Sequence, residues 1–336
     1  MKTDTVRSES NPPPPPARSA LRLQIGKDSV QKLVIVGILL VLIITLSILS
    51  KEFLTLSNFS NVTRQVAIVI ITGCPVTLLM ITGNIDLSVG SVVAMTGVLV
   101  AIFSSTFGIP LWLSVILASL AGGLAGVVNG LMVTRLRIPS VIATLGTMYV
   151  VRGIAYVVCD GKTVNLGLPP DFRWLGGGFI GPIPVPMVLT AVVAAIFIFI
   201  QTKTLLGKYS FAIGGNRVTA VLSGINVNLI VLTLFVLVGL LAGFSGVLLG
   251  SRMGVGMPTV GLGFEFDVIV AVLLGGTSIA GGVGSVAGTI VGAFIVGLLG
   301  NGLNLMNVHT FYQSILKGLV LVVAVVLDIF LKEKLE

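Results

Sequence analysis

The chain has 336 residues, 55% of them hydrophobic and only 10% charged, and its mean hydropathy is +1.12. Soluble domains carry about 25% charged residues, so a large soluble domain is excluded, and the length is far too great for a single membrane hairpin. The excess of Lys and Arg (20) over Asp and Glu (12) fits the positive-inside rule of multi-pass membrane proteins better than nucleic-acid binding.

Residues 1–30 differ in kind from the rest. Asn11–Pro16 reads NPPPPP and lies among Lys2, Arg7, Arg18, Arg22 and Lys27. Proline donates no backbone hydrogen bond and favours an extended conformation, so this stretch is expected to be a disordered, basic cytoplasmic arm. No small-residue cleavage site closes the apolar run that follows, which argues against a signal peptide. Residues 31–336 form the expected transmembrane domain.

A span needs about 20 apolar residues. Ten segments meet this pattern, near 33–50, 60–82, 89–107, 111–134, 139–158, 185–202, 227–249, 266–283, 285–304 and 311–331. The fold class is therefore an all-α integral membrane protein of about ten transmembrane helices, some broken or half-inserted. The eighth segment is the weakest, because the apolar run Val268–Leu274 enters GGTSIAGGVGS (Gly275–Ser285). Irregular backbone at membrane depth is tolerated only where protein or water covers it. With ten spans and the N-terminus inside, Arg135, Arg137, Lys203, Lys208, Arg217, Lys332 and Lys334 join the basic arm on one side. Both termini are thus expected to be cytoplasmic.

Glycines recur at four-residue spacing at Gly122, Gly126 and Gly130, at Gly284, Gly288 and Gly292, and in the pairs Gly239/Gly243 and Gly246/Gly250. That spacing puts them on one helix face, where small residues let backbones touch. GGLAGVVNG (Gly122–Gly130) resembles GLLAGFSG (Gly239–Gly246), and VGSVVAMTG resembles VGSVAGTIVG. An internal repeat and chance similarity of glycine-rich helices both explain this.

The stretch GNIDLSVGS (Gly83–Ser91) places an acid, Asp86, between two apolar blocks. Asn84, Asp86 or Ser88 is positioned to cap a helix starting near Val89. The second reading puts Asp86 on a polar pathway or gate, because charges within spans are costly and usually functional. Thr144, Thr147, Arg152, Asn129, Asn301, Asn304, Gln313 and Lys317 are also polar at membrane depth. The bland reading of the Asn and Thr residues is hydrogen bonding between helices; the sharper one is a path for an uncharged, hydroxyl-rich solute. The expected pathway or gate set is Asn84, Asp86, Ser88, Thr144, Thr147, Arg152, Asn301 and Asn304. Arg152 and Lys317 have Asp86, Glu265, Asp267 and Asp328 as candidate mates.

The loop Lys203–Asn228 has one apolar face and basic ends. A turn at Gly214–Gly215 followed by a short helix, Asn216–Ser223, is expected there. A partly apolar helix on the cytoplasmic face packs either on its own spans or on a partner protein. Gly161–Thr163 reads GKT, but the glycine that a phosphate loop needs five residues earlier is Tyr156. No metal spacing surrounds Cys74 or Cys159, no base partner is evident for His309, and no disulfide framework is implied. Neither a catalytic residue nor a metal ligand is expected.

Five stretches then carry a resemblance. GNIDLSVGSVVAMTGVLVA, RIPSVIATLGTMYVVRGIAYV, FAIGGNRVTAVLSGINV, GFEFDVIVAVLLGGTSIAGGVGSVAGTIVGA and GNGLNLMNVHTFYQSILKGLVLVVAVVLD, in that order, resemble the permease subunit of bacterial ribose-type ATP-binding cassette importers. The similarity runs from about Phe53 to Asp328. Asn84 stands where the family commonly has a second glycine, and Pro75 within GCPV is a predicted kink. The resemblance implies an inner-membrane homodimer or pseudodimer, a cytoplasmic ATPase subunit that holds ATP and Mg, and a periplasmic sugar-binding protein. No cofactor is then bound by this chain directly. The resemblance also assigns Gly214, Gly215, Asn216, Arg217, Ser223 and Gly224 to the contact that couples the permease to the ATPase. The implied cargo is ribose or a similar pentose or hexose. A furanose-type quorum signal, a nucleoside and a secondary sugar transporter are the alternatives.

Overall fold

The computed structural model describes residues 36–165 and 170–333. The basic proline-rich arm lies outside the described residues. The described residues are dominated by thirteen helices: α1 (Val36–Leu49), α2 (Leu56–Ile81), α3 (Val89–Ser105), α4 (Leu111–Thr134), α5 (Ser140–Val158), α6 (Pro170–Gly177), α7 (Val185–Lys203), α8 (Leu205–Gly215), α9 (Arg217–Leu222), α10 (Val227–Met253), α11 (Phe264–Leu274), α12 (Val286–Leu305) and α13 (Thr310–Glu333).

Six of these, α2, α4, α5, α7, α10 and α12, are long and apolar enough to cross a membrane, and α1, α3 and the stretch Thr310–Val326 of α13 are shorter apolar helical segments. The expected count of about ten is therefore coarser in the structure. The eighth predicted segment, 266–283, is broken as its sequence implied: its helix α11 ends at Leu274, and glycines with positive φ at Gly276, Gly281 and Gly282 carry the chain on irregularly. Glycine alone takes that backbone geometry at no steric cost, which is why an apolar run with these glycines stops being a helix.

α2 is the central helix. In its most apolar stretch 89% of the residues are buried, against 28–33% for α4, α5 and α7, whose remaining faces are apolar and open. The helix starts under a cap, with the Thr55 hydroxyl accepting from the Asn58 amide at 3.2 Å. It passes through Pro75 as one continuous element, so the predicted kink does not break it. Its polar groups are paired across the bundle, Thr72 with Ser245 of α10 (2.9 Å) and Thr77 with Thr289 of α12 (2.6 Å).

The expected glycine stripes meet one another. A Cβ on Gly122 would strike the Gly239 carbonyl, one on Gly239 the Gly122 carbonyl, and one on Gly126 the Phe235 carbonyl. The two similar sequence stretches are thus the two faces of one α4–α10 seam. Likewise Gly288 and Gly292 of α12 lie on Gly275 and Ala271 of α11. With lipid as apolar as the side chains, such close backbone packing is what holds helices together.

The connection from α5 to α7 contains elements that were not expected. Val164–Asn165 (β1) pairs antiparallel with Val255–Gly256 (β4), Phe179–Ile180 (β2) forms a hairpin with Ile183–Pro184 (β3), and α6 lies between them. The Ser251 hydroxyl of α10 donates to the Phe172 carbonyl and accepts from the Gly176 amide, locking α6 down.

Candidate functional site

Two irregular stretches interrupt the run of apolar helices, and they touch. The first runs from the end of α2 at Ile81 to Val89, where α3 begins. α3 has only 17 residues, about 25 Å of helix, short of the roughly 30 Å hydrocarbon core. The second runs from Leu274 to Val286, between α11 and α12.

Asp86 organises the first stretch. Its Oδ1 accepts from the Ser88 amide (2.8 Å) and the Ser88 hydroxyl (2.6 Å). Asn129 of α4 donates from Nδ2 to the Ser88 Oγ (2.9 Å) and to Asp86 Oδ2 (3.3 Å). All three residues are buried, so the carboxylate is matched by donors instead of a cation. The capping expectation is corrected in detail. Ser88 is the cap position of α3 but makes no side-chain cap bond, and Asp86 takes the amide of the cap residue itself, not one from the first turn. Asn84 turns away and donates to the Thr82 hydroxyl at 2.9 Å. Helix α5 holds the same stretch from the side: Ser140 Oγ accepts from the Ile85 amide (3.2 Å), and Thr144 reaches the Ile85 carbonyl at 3.5 Å while bonding mainly to Ser140 O (2.8 Å).

The second stretch is braced by Gln201 at the end of α7. Its amide donates to the Gly284 carbonyl and accepts from the Val286 amide, both at 3.0 Å. Ser285 then caps α12 through the Gly288 amide at 3.3 Å. Gln201 was not expected; its partners lie 83 and 85 residues away, and local sequence carries no sign of such a bond.

The two stretches join under α8. The Gly282 amide donates to the Ile81 carbonyl at 2.9 Å. A Cβ on Gly281 would lie 3.0 Å from the Gly83 amide nitrogen and 3.3 Å from the Gly214 Cα, and one on Gly214 would strike both the Ile81 carbonyl and the Gly282 amide. Three backbones therefore meet without side chains between them, at the base of both interruptions. The expected Gly214–Gly215 turn is corrected as well: both residues are the last turn of α8, and the chain bends after them.

Beyond that bend the expected short helix is present as α9. Asn216 caps it, accepting from the Thr219 amide at 2.9 Å, Ser223 ends it, and Gly224 leaves it at φ +83°. Arg217, Val218, Val221 and Leu222 are exposed, the last at 83%. The free face of α9 is thus apolar with a basic residue at its start.

The remaining expected residues lie elsewhere. Thr147 is buried on α5. Arg152 donates from Nη1 to the Pro258 and Val260 carbonyls, both at 2.7 Å, tying α5 to the turn before α11. Asn301 forms a reciprocal amide pair with Asn58 of α2 (2.8 and 3.0 Å), and Asn304 accepts from Gln313 of α13 (2.8 Å), both near the end of α12 far from the junction. The eight pathway residues are therefore not one cluster. Asn84, Asp86, Ser88 and Thr144 gather at the first interruption, Arg152 at the α11 turn, and the two asparagines between helices. Lys317 pairs with Asp267 at 2.7 Å. Among the described residues no group of three metal-ligating side chains comes together.

Residues 58–325 match the family described as branched-chain amino acid transport system, permease component. The ribose import permease protein RbsC of Haemophilus influenzae is 38% identical over 314 residues, 93% of this chain and 97% of that protein. RbsC of Escherichia coli K12 is 42% identical over 86% of this chain and 91% of its own length. The L-arabinose ABC transporter permease protein AraH of Azospirillum brasilense is 39% identical, covering 88% and 86%. No solved structure matches. With its helical membrane fold and a match over most of its length, the chain belongs to this family of transport-system permease components.

Proposed function

We propose that this multi-pass inner-membrane chain is the permease subunit of an ATP-driven importer that moves a sugar, ribose or a similar pentose or hexose, into the cytoplasm. The curated relatives named for ribose, arabinose and allose import favour that cargo. In this reading the six long helices, the three shorter apolar ones and the half-length α11 make ten passes, with both termini cytoplasmic. A periplasmic binding protein delivers the sugar, and a cytoplasmic ATPase subunit, not this chain, binds ATP and Mg and hydrolyses the nucleotide. Asp86 and its neighbours serve the path or its gate.

One observation carries the reading: α9 offers an exposed apolar face, and the helix just before it carries Gly214 in its last turn, packed on the base of both interruptions. A partner that shifts α8 and α9 therefore shifts the first and second interruptions together. Helices alternate between discrete packings instead of deforming continuously, so such a push supports alternating access. The chain needs to change shape but performs no covalent step. A second permease copy is supported by Lys317 and Asp267, whose side chains are 39% and 19% exposed on α13 and α11. An ion pair opened to lipid is costly, and a second chain or a water-filled path would cover it. The test is ATP hydrolysis by the purified subunits: a ribose-loaded binding protein is expected to stimulate it, and removing α9's apolar face with Val221→Ser and Leu222→Ser is expected to abolish that stimulation.

A further inference from the structure

The first turns of α3 and α11 meet inside the bundle. A Cβ on Gly90 would strike the Glu265 Oε2 and would lie 2.5 Å from the Gly261 carbonyl. Two helix N-termini therefore face one region, each with backbone amides that lack intrahelical acceptors. Glu265 is 93% buried by its 7% exposure, and its Oε2 has no hydrogen-bond partner among the described residues. The same holds for the hydroxyl of Ser91, fully buried in the same turn of α3. Arg152 interacts electrostatically with Glu265, and both of its hydrogen bonds come from Nη1, to the turn that leads into α11. The Glu265 carboxylate accepts backbone hydrogen bonds at its own residue and at Gly263, while its unmatched Oε2 carries a desolvation cost that a donor on a ligand would relieve.

We propose that Glu265, Ser91 and Arg152 form a polar subsite, at the meeting of α3 and α11, that takes adjacent hydroxyl groups of the transported solute. A carboxylate accepts from a hydroxyl, a guanidinium donates to one, and the serine does either. Together they match a vicinal diol and mismatch an ion, since the two charges offset each other. Glycine at position 90 leaves the carboxylate its place. Discontinuous helices that end at a substrate are a recurring way to build such a site within a membrane. This subsite deepens the sugar-import reading and rests on it.

The experiment uses the complete assembly, this chain with its ATPase and binding protein, in proteoliposomes. ATP-dependent uptake of ribose and of each of its monodeoxy analogues is measured at saturating binding protein. Each variant is compared with the unaltered chain solute by solute, so discrimination by the binding protein cancels. Glu265→Gln and Ser91→Ala are expected to lower ribose uptake about tenfold and about threefold, the loss of a charged and a neutral hydrogen bond. The analogue lacking the hydroxyl that meets the altered group is expected to lose less than twofold, and binding-protein-stimulated ATP hydrolysis is expected to persist. Equal losses for all solutes in both variants, or none, overturn the subsite and leave Glu265 a structural group solvated by water. Absence of ATP-dependent uptake by the unaltered assembly overturns the import reading and the subsite with it.

Discussion

Glycine brings backbones together in two regions of this protein, with opposite consequences. In the α4–α10 seam, Gly122 and Gly126 face Gly239 and Phe235, all within regular helices. At the junction under α8, Gly214 lies in a helix's last turn while Gly83, Gly281 and Gly282 have positive φ in irregular chain. The seam packs two long helices along their length. The junction joins the ends of three elements, where a small shift of one is felt by the other two. The same residue type packs two helices side by side in one region and brings chain ends together in the other.

The comparison breaks first at the seam. Gly126→Leu drives a side chain into the Phe235 carbonyl, with no flexible neighbour to yield. It is expected to destabilise by about 3 kcal/mol or more, read as loss of monodisperse protein in detergent and of a cooperative thermal transition. A variant that folds normally contradicts the seam's rigidity. At the junction, Gly214→Ala is expected both to destabilise the protein and to cut ATP-dependent uptake per folded molecule about tenfold, because its Cβ strikes backbone at the Ile81 carbonyl and the Gly282 amide, with no flexible side chain to yield. Its control is Gly215→Ala, whose Cβ meets nothing within 4 Å.

Asp86 sharpens the contrast. Asp86→Ala strands the Ser88 amide, the Ser88 hydroxyl and part of the Asn129 amide, and is expected to cost about 1–3 kcal/mol in thermal unfolding. Asp86→Asn is expected to fold well, since Asn129 Oδ1 has no partner among the described residues and can accept from the new amide. Its uptake is expected to fall if the negative charge serves the gate; full uptake in a normally folded Asp86→Asn removes that role. Asn301→Ala, which leaves Asn58 without its mate, is expected to cost about 1 kcal/mol with uptake per folded molecule unchanged. Gly215→Ala is expected to change neither stability nor uptake measurably.

What sequence could show follows from range. The four-residue glycine spacing exposed the α4 and α10 faces, because a helix turns local spacing into one surface. Asn216, Ser223 and Gly224 marked α9 for the same reason: caps and helix exits are written within a few residues. Asp86 stood out by its charge and is buried in the structure, yet its partner Asn129 lies 43 residues away and could only be named among other polar residues. Local pattern could not show that Gln201 braces Gly284, that Gly214 meets Ile81 and Gly282, or that Val164 pairs with Gly256. The short apolar run Val268–Leu274 entering a glycine-rich stretch did mark a broken helix at 266–283, and α11 ends at Leu274. Asn301 and Asn304 could be read from sequence as pathway residues or as hydrogen bonds between helices; their amides pair with Asn58 and Gln313, as the second reading has it.

The most direct measurement is sugar uptake into proteoliposomes containing this chain with and without its ATPase subunit, with binding protein present throughout. Ribose is expected to accumulate only when the ATPase and ATP are both present, and Gly214→Ala is expected to reduce that accumulation while ATP is still hydrolysed. Accumulation by the chain alone, driven by a proton or sodium gradient, contradicts a pathway that is opened from its cytoplasmic junction by a nucleotide-driven partner.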